Sequence, residues 1–457
     1  MKKLSSVICL LLVLLSNAQM QPIKQMQPIK IAVNKRFFTV NGKPFFWLGD
    51  TGWLLFKKCT KEEAILYLET RRKQGFNVIQ AMLLHELDVI DAYGDSALFN
   101  KDVSKPNTTK HYWDMVDFVV NEAAKRGMYM ALVPVWGGNV KNGHVSEQQA
   151  ELYATFLTNR FKGKPNIIWL NGGDIKGSDG EKVWKIIGRT LHEKDSNHLV
   201  SFHPRGRATS STWFHNENWL DFNMFQSGHK DYAQDTTEPR MGEDNWKFVV
   251  NDYALKPTKP TMDGEPSYEN IPHGLHDSSA PRWTADDVRR YAYWSVLAGG
   301  AGFTYGENSV MQFKNSWNKD ISFGAVKTWK EEINATGATQ MQYVKKLMLS
   351  KPYFERMPDQ ALINNQGERY NYLAAAKGKG YVFVYTYTGR NIAVNMGKYA
   401  GRKVKSSWYN PRNGQYIAIG IFENNGGTKT FDPPGEEKEG NDWVLVLEDL
   451  PLAPEEG

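Results

Sequence analysis

The chain has 457 residues, 41% hydrophobic and 23% charged, enough for two or three domains with sizeable cores. A formal net charge of +6 is slight at this length and points to neither a nucleic-acid nor a membrane partner. With Cys9 and Cys59 as its two cysteines, the chain has no disulfide framework and no cysteine-based metal site.

Residues 1–18 read as an export signal. Lys2 and Lys3 form the charged end, residues 7–15 the apolar stretch, and Ser16-Asn-Ala18 a small-residue cleavage site. The apolar stretch is too short to span a bilayer, no cysteine follows it to carry a lipid anchor, and nothing later is a membrane span. The expectation is an exported bacterial protein, periplasmic or extracellular. Once Cys9 leaves with the signal, Cys59 reads as a buried thiol. Residues 19–30 repeat Gln-Met-Gln-Pro-Ile-Lys twice and read as a flexible lead-in. Residues 31–46 alternate around Asn41-Gly42, a hairpin signal.

From residue 45 to about 306, strand-like and helix-like segments alternate. The expected strands are 45–48, 78–82, 129–135, 167–170, 199–202, 222–225, 260–262 and 302–305, and the expected helices 61–74, 112–126, 147–161, 182–195 and 285–297. Thr60 and Thr284 are candidate N-caps, with Glu63 and Asp287 three residues on. Eight mostly apolar strands alternating with helices predict an α/β domain over 31–350, a (β/α)8 TIM-like barrel with an N-terminal hairpin. A doubly wound sheet is the competitor, but no strand leads into a Gly-rich phosphate loop. After residue 349 the texture changes to short alternating runs at 372–376, 381–387, 392–395, 404–409, 416–421 and 443–447. This predicts an all-β sandwich over 355–457.

In such a barrel the site lies at the carboxyl ends of the strands. There the chain reads Gly49-Asp50-Thr-Gly-Trp53, His85-Glu86, Trp136-Gly-Gly138, Asn171-Gly-Gly-Asp174, His203-Pro-Arg205, Gln226-Ser-Gly-His229, Asp263-Gly-Glu265 and Gly306-Glu307-Asn308. Flat aromatic walls, fixed hydrogen-bonding groups and two carboxylates are what a sugar site needs. Asp174 and Glu265 are the pair that could cleave a glycosidic bond, one protonating the leaving oxygen while the other attacks or activates water. Either acid alone would more often be a solvated loop residue. Asn171, His203 and Gln226 are candidate contacts to sugar hydroxyls, and Trp53, Trp136 and Tyr305 candidate sugar-facing walls. Asp50 and His85 complete the expected substrate-binding set. Each of these residue types has a bland alternative in loop structure or core packing.

Asp174 and Glu265 close the fourth and seventh expected strands, where the retaining clan of barrel glycosidases carries its acid/base and its nucleophile. Gly49-Asp-Thr-Gly-Trp53, Asn171-Gly-Gly-Asp174, Phe202-His-Pro204, Gln226-Ser-Gly-His229 and Asp263-Gly-Glu-Pro266 together resemble the apiosidase-like glycoside hydrolases, glycoside hydrolase family 140. The likeness covers about 31–350, and 355–457 resembles the small β-domain, often labelled collagen-binding, that follows it. The resemblance implies a retaining, exo-acting hydrolase with Asp174 as acid/base and Glu265 as nucleophile, releasing apiose from pectic side chains. Asp in place of the clan's Glu at the fourth strand means that a shorter side chain must be brought nearer by the backbone.

Other chemistries find less support. His85-Glu86 begins like a zinc-protease helix, but Val89 stands where the second histidine would be. There is no nucleotide loop and no Gly-x-Ser-x-Gly elbow, so the simplest reading is a hydrolase without metal or cofactor, acting on an oligo- or polysaccharide. An esterase or lyase would need a Ser–His pair, a metal or a Lys base, none of which is convincing in the sequence. The alternative from another class is a non-catalytic carbohydrate- or matrix-binding protein on a barrel scaffold. Oligomeric state is not legible.

Overall fold

The computed structural model describes residues 26–318 and 321–450. The expected signal and most of the repeat lie outside them. The part of the lead-in that is described is fixed rather than loose: Ile29 is buried in the core and the Gln27 carbonyl accepts the Tyr129 hydroxyl at 2.6 Å. A three-stranded antiparallel sheet (Lys30–Ile31, Phe38–Val40, Lys43–Phe45) follows. Its hairpin turns through Asn41 and Gly42, both at positive φ, as the Asn-Gly pair predicts.

Eight parallel strands form the barrel: β1 (Trp47–Thr51), β2 (Val78–Met82), β3 (Tyr129–Val133), β4 (Ile167–Ile175), β5 (Val200–Pro204), β6 (Asn223–Gln226), β7 (Thr261–Asp263) and β8 (Gly302–Tyr305). Hydrogen-bonded order runs β5-β4-β3-β2-β1-β8-β7-β6, with the short Ala208–Thr209 strand antiparallel on β6. The remaining seam, β5 to β6, is stitched by Asp221 N–H to the Val200 carbonyl (2.9 Å) and Ser201 Oγ to the Phe222 carbonyl (2.7 Å). The strands are buried almost throughout, as a sheet covered on both faces demands.

The outer helices are α1 (Lys61–Lys73), α2 (Tyr112–Lys125), α3 (Glu147–Phe161), α4 (Glu181–Lys194), α5 (Trp246–Ala254), α6 (Ala285–Leu297) and α7 (Thr336–Leu349). Thr60 and Thr284 each start a helix through a reciprocal capping box with Glu63 and Asp287. Eight of the 15 tryptophans are fully buried, so the surplus of Trp is mainly core.

The C-terminal domain is a six-stranded antiparallel sheet in the order Met357–Pro358, Ala374–Gly378, Tyr381–Thr386, Trp443–Asp449, Lys403–Tyr409, Tyr416–Glu423, faced by a two-stranded sheet of Ile392–Asn395 and Thr428–Phe431. It is locked to the barrel through α6. Arg289 makes a two-pronged ion pair with Asp442 (both contacts 2.9 Å), and the Tyr293 and Tyr385 rings stack at 4.9 Å. Arg290 pairs with Glu243 at 2.6 Å inside a cage of Tyr291, Trp294, Tyr370 and Tyr387 rings. Buried charges are tolerable only when paired in this way.

Candidate active site

Asp174 is delivered by the backbone. The register of β4 against β5 slips between Gly172 and Ile175, a bulge that turns the strand end. Gly172 (φ +90°), Gly173 (φ +109°) and Asp174 (φ +47°) all lie in the left-handed region. A Cβ on Gly172 would sit 2.7 Å from the His203 carbonyl oxygen, and one on Gly173 2.6 Å from the Trp136 ring, so both positions need glycine twice over. Asn171 pins the turn: its Nδ2 donates to the Trp184 carbonyl (2.7 Å) and its Oδ1 accepts the Gly172 N–H (3.1 Å).

Glu265 is delivered by packing and side chains. Gly264 passes so close to Met224 that a Cβ would meet the sulfur at 2.4 Å. Beyond it the Glu265 carboxylate is buried between two histidines, with His229 Nε2 3.0 Å from Oε1 and His203 Nε2 3.3 Å from Oε2. The His203 contact is out of line for a good hydrogen bond and leaves both atoms without an aligned partner. The backbone N–H groups of Asp174 and Tyr268 point at the Nδ1 atoms of His203 (3.5 Å) and His229 (3.4 Å) respectively. With Nδ1 accepting, the Nε2 atom of each ring is the one that carries a proton, facing the carboxylate. The Tyr268 hydroxyl, held by Trp53 Nε1 at 3.1 Å, also stands beside Glu265.

These surroundings drive the two carboxyls apart. Burial pushes Glu265 up, but the His203 and His229 donors outweigh it and hold the group at about 2, below its ordinary 4.5. Asp174 is raised from 3.8 to about 6, first by desolvation within the barrel mouth and then by the negative charge of Glu265. Solvent still reaches the Asp174 side chain directly, so its desolvation comes from the walls around it rather than from enclosure. A carboxylic acid beside a firmly ionised carboxylate is the combination that acid-assisted displacement requires.

Around this pair the structure gathers four of the other expected residues. The Trp53 and Trp136 rings lie 5.4 Å apart, and both flank His203, at 5.2 and 6.3 Å. Gln226 lies beside Gly206, whose backbone N–H faces the Asp174 carboxyl, and its buried Oε1 has no protein partner. His85 stands on the rim, its Nδ1 against Glu86, which in turn contacts Lys57.

Three expected sugar contacts have another use. Asp50 is wholly buried and held by Tyr67 and by Arg71 Nε (2.7 Å) of α1. Asn171 is occupied in pinning the bulge, and the Tyr305 hydroxyl donates to Glu269 Oε2 (2.6 Å) in a buried cluster. All three are buried, and each has a side-chain oxygen or nitrogen bonded to a protein group outside the barrel strands, so these three are placed to support the site rather than to face a sugar. His229 and Tyr268, which hold Glu265, were not expected from the sequence. Their signals are slight: the end of Gln226-Ser-Gly-His229, and a tyrosine three residues beyond Glu265.

Comparison with known proteins agrees with this architecture. The family model "Apiosidase-like, catalytic domain" matches residues 32–355, and a second, describing a collagen-binding-like domain of a collagenase, matches 357–448. A solved structure titled glycoside hydrolase is 43% identical, with a TM-score of 0.88 over 93% of this chain and 97% of its own. A glycoside hydrolase family 5 protein from Bacteroides vulgatus ATCC 8482 is 40% identical, also at a TM-score of 0.88, over 92% of this chain and 93% of its own. No curated protein matches. With its catalytic barrel matched nearly end to end, the chain is a glycosidase and belongs to the apiosidase-like family of glycoside hydrolases.

Proposed function

We propose that this glycosidase works by retention, with Glu265 as nucleophile and Asp174 as acid and then base. The opposed protonation of the two carboxyls, Asp174 raised to about 6 and Glu265 held at about 2, is the observation that carries this reading. Glu265 attacks the anomeric carbon while the Asp174 proton passes to the glycosidic oxygen and the C–O bond breaks. Esterification removes the negative charge from Glu265 and with it one of the causes that raise Asp174. Asp174 then accepts a proton from the water that cleaves the glycosyl ester, restoring Glu265. His203 and His229 keep Glu265 ionised before attack and receive it as a leaving group afterwards.

The family likeness supports a terminal sugar, apiose, removed from side chains of pectic polysaccharide. The amino-terminal signal pattern supports action in the periplasm or outside a bacterial cell.

The test is sugar release from pectic polysaccharide by the wild type, Asp174→Asn and Glu265→Gln, with the anomer first formed read by NMR. The wild type should release one monosaccharide with its configuration retained. Loss of the nucleophile should cost on the order of 10⁴- to 10⁶-fold, and loss of the acid roughly 10²- to 10⁴-fold. An inverted product, or undiminished release by either variant, would overturn the assignment.

A further inference from the structure

A second feature of the barrel mouth lies outside the catalytic pit. The loops after β1, β2 and β8 enclose a cleft of about 360 Å3, bordered by Lys57, Thr60, Ile90, Asn315, Trp317 and Asn318. Its size falls in the ~300–1,000 Å3 range of small-molecule sites. Trp317 stands 71% exposed beside it, and Ile90 and Tyr93 are each about half exposed on the same rim. An exposed indole beside a half-polar cleft is a surface that suits a sugar ring better than an apolar ligand.

A chain of contacts links the cleft to the pit. Trp53, which flanks His203, lies one helical turn before Lys57 in the chain. Lys57 contacts Glu86, and Glu86 contacts His85. The His85 carbonyl is bonded by Asn139, which also holds the carbonyl of Trp136, the second ring of the pit. A single band of residues therefore runs from the catalytic carboxyls to Trp317.

We propose that this cleft is a distal sugar subsite, in which the Trp317 indole stacks on a pyranose ring of the polysaccharide that carries the terminal sugar, while the side-chain amide nitrogen of Asn318, whose Oδ1 accepts the Asn315 backbone N–H at 2.7 Å, meets its hydroxyls. The apolar face of a pyranose matches an exposed indole, and the ring's equatorial hydroxyls match a flanking amide. The proposal rests on the glycosidase reading and adds what the enzyme holds beyond the bond it cleaves. A sugar bound there anchors the polymer across the rim while its side chain enters the pit.

The experiment compares the wild type, Trp317→Ala and Trp317→Phe on intact pectic polysaccharide and on side-chain oligosaccharides detached from it. Affinity electrophoresis in gels cast with the same polysaccharide is run in parallel. The expected result is a KM for the polymer raised about tenfold in Trp317→Ala, largely restored in Trp317→Phe. Activity on the detached oligosaccharide should be unchanged, and the alanine variant should lose gel retardation. Equal KM on the polymer for wild type and Trp317→Ala, with equal retardation, would overturn the subsite alone. Were the wild type to release no sugar from either substrate, the catalytic reading would fall, and retardation would decide the subsite by itself: loss in Trp317→Ala upholds it, no loss or no retardation overturns it.

Discussion

After β4 the carboxyl of Asp174 reaches the pit because three successive residues adopt left-handed backbone, two of them glycines wedged against His203 and Trp136. After β7 the carboxyl of Glu265 reaches it on ordinary backbone and is held instead by two imidazoles and a phenol. The same functional group is thus presented by main-chain geometry in one case and by side-chain bonding in the other. The first arrangement leaves Asp174 reachable by solvent but raised by the walls and the charge around it; the second keeps Glu265 buried and ionised. Geometry and protonation are set by separate parts and should fail separately.

The largest break should come from the backbone side. Gly173→Ala adds a Cβ 2.6 Å from the Trp136 ring at φ +109°, where an L side chain is strained. Displacing Asp174 by even an ångström should lower kcat about 10²-fold, with the acid limb of the pH profile unmoved. A shifted acid limb in this variant would show that the two strand ends are not independent.

Removing His229 should do the converse. Activity requires Glu265 ionised, so it rises with pH through about 2, and Asp174 protonated, so it falls as pH rises through about 6. In His229→Ala the acid limb should move up toward the ordinary 4.5, with the basic limb nearly fixed and kcat/KM at its optimum reduced roughly tenfold. An unshifted acid limb would remove His229 as the cause of Glu265's low value.

The smallest effect is on stability, and it has opposite signs at the two carboxyls. Glu265 is lowered on folding, so its contribution is present above about 4.5 and lost as pH falls through about 2. Asp174 is raised, so its contribution is present below 3.8 and lost as pH rises through about 6. At pH 7, Asp174→Asn should therefore raise Tm by about a degree or two while Glu265→Gln lowers it. Calorimetry showing both variants destabilised would refute the contrast.

Much of this was legible in the sequence because the strands are apolar runs and two of the expected helices, α1 and α6, open with capping boxes at Thr60 and Thr284. The unexpected helices α5 and α7 lack that mark. Asn245, before α5, uses its side chain on Asp263 and the Tyr291 carbonyl, and Ala335, before α7, has no side chain to cap with. The carboxylate pair was legible from its place at two strand ends. The split of polar residues into substrate-facing and structural was not, because Asp50 and Asn171 owe their roles to partners on α1 and α4, and Tyr305 to Glu269 beyond β7. Neither was the function of His229, whose partner lies 36 residues away.

The Arg290 cage bears on how such a chain can be inherited. Tyr370 and Tyr387 of the sandwich supply two of its four rings, and the Tyr370 hydroxyl donates to Glu243 (2.9 Å) near the end of the loop that begins with His229. A gene rearrangement that carried the barrel away alone would strip half the cover from a buried guanidinium and slacken the segment that holds the nucleophile's partner. The two domains are expected to travel through descent as one unit, with their joint surface changing by paired substitutions rather than by exchange of modules.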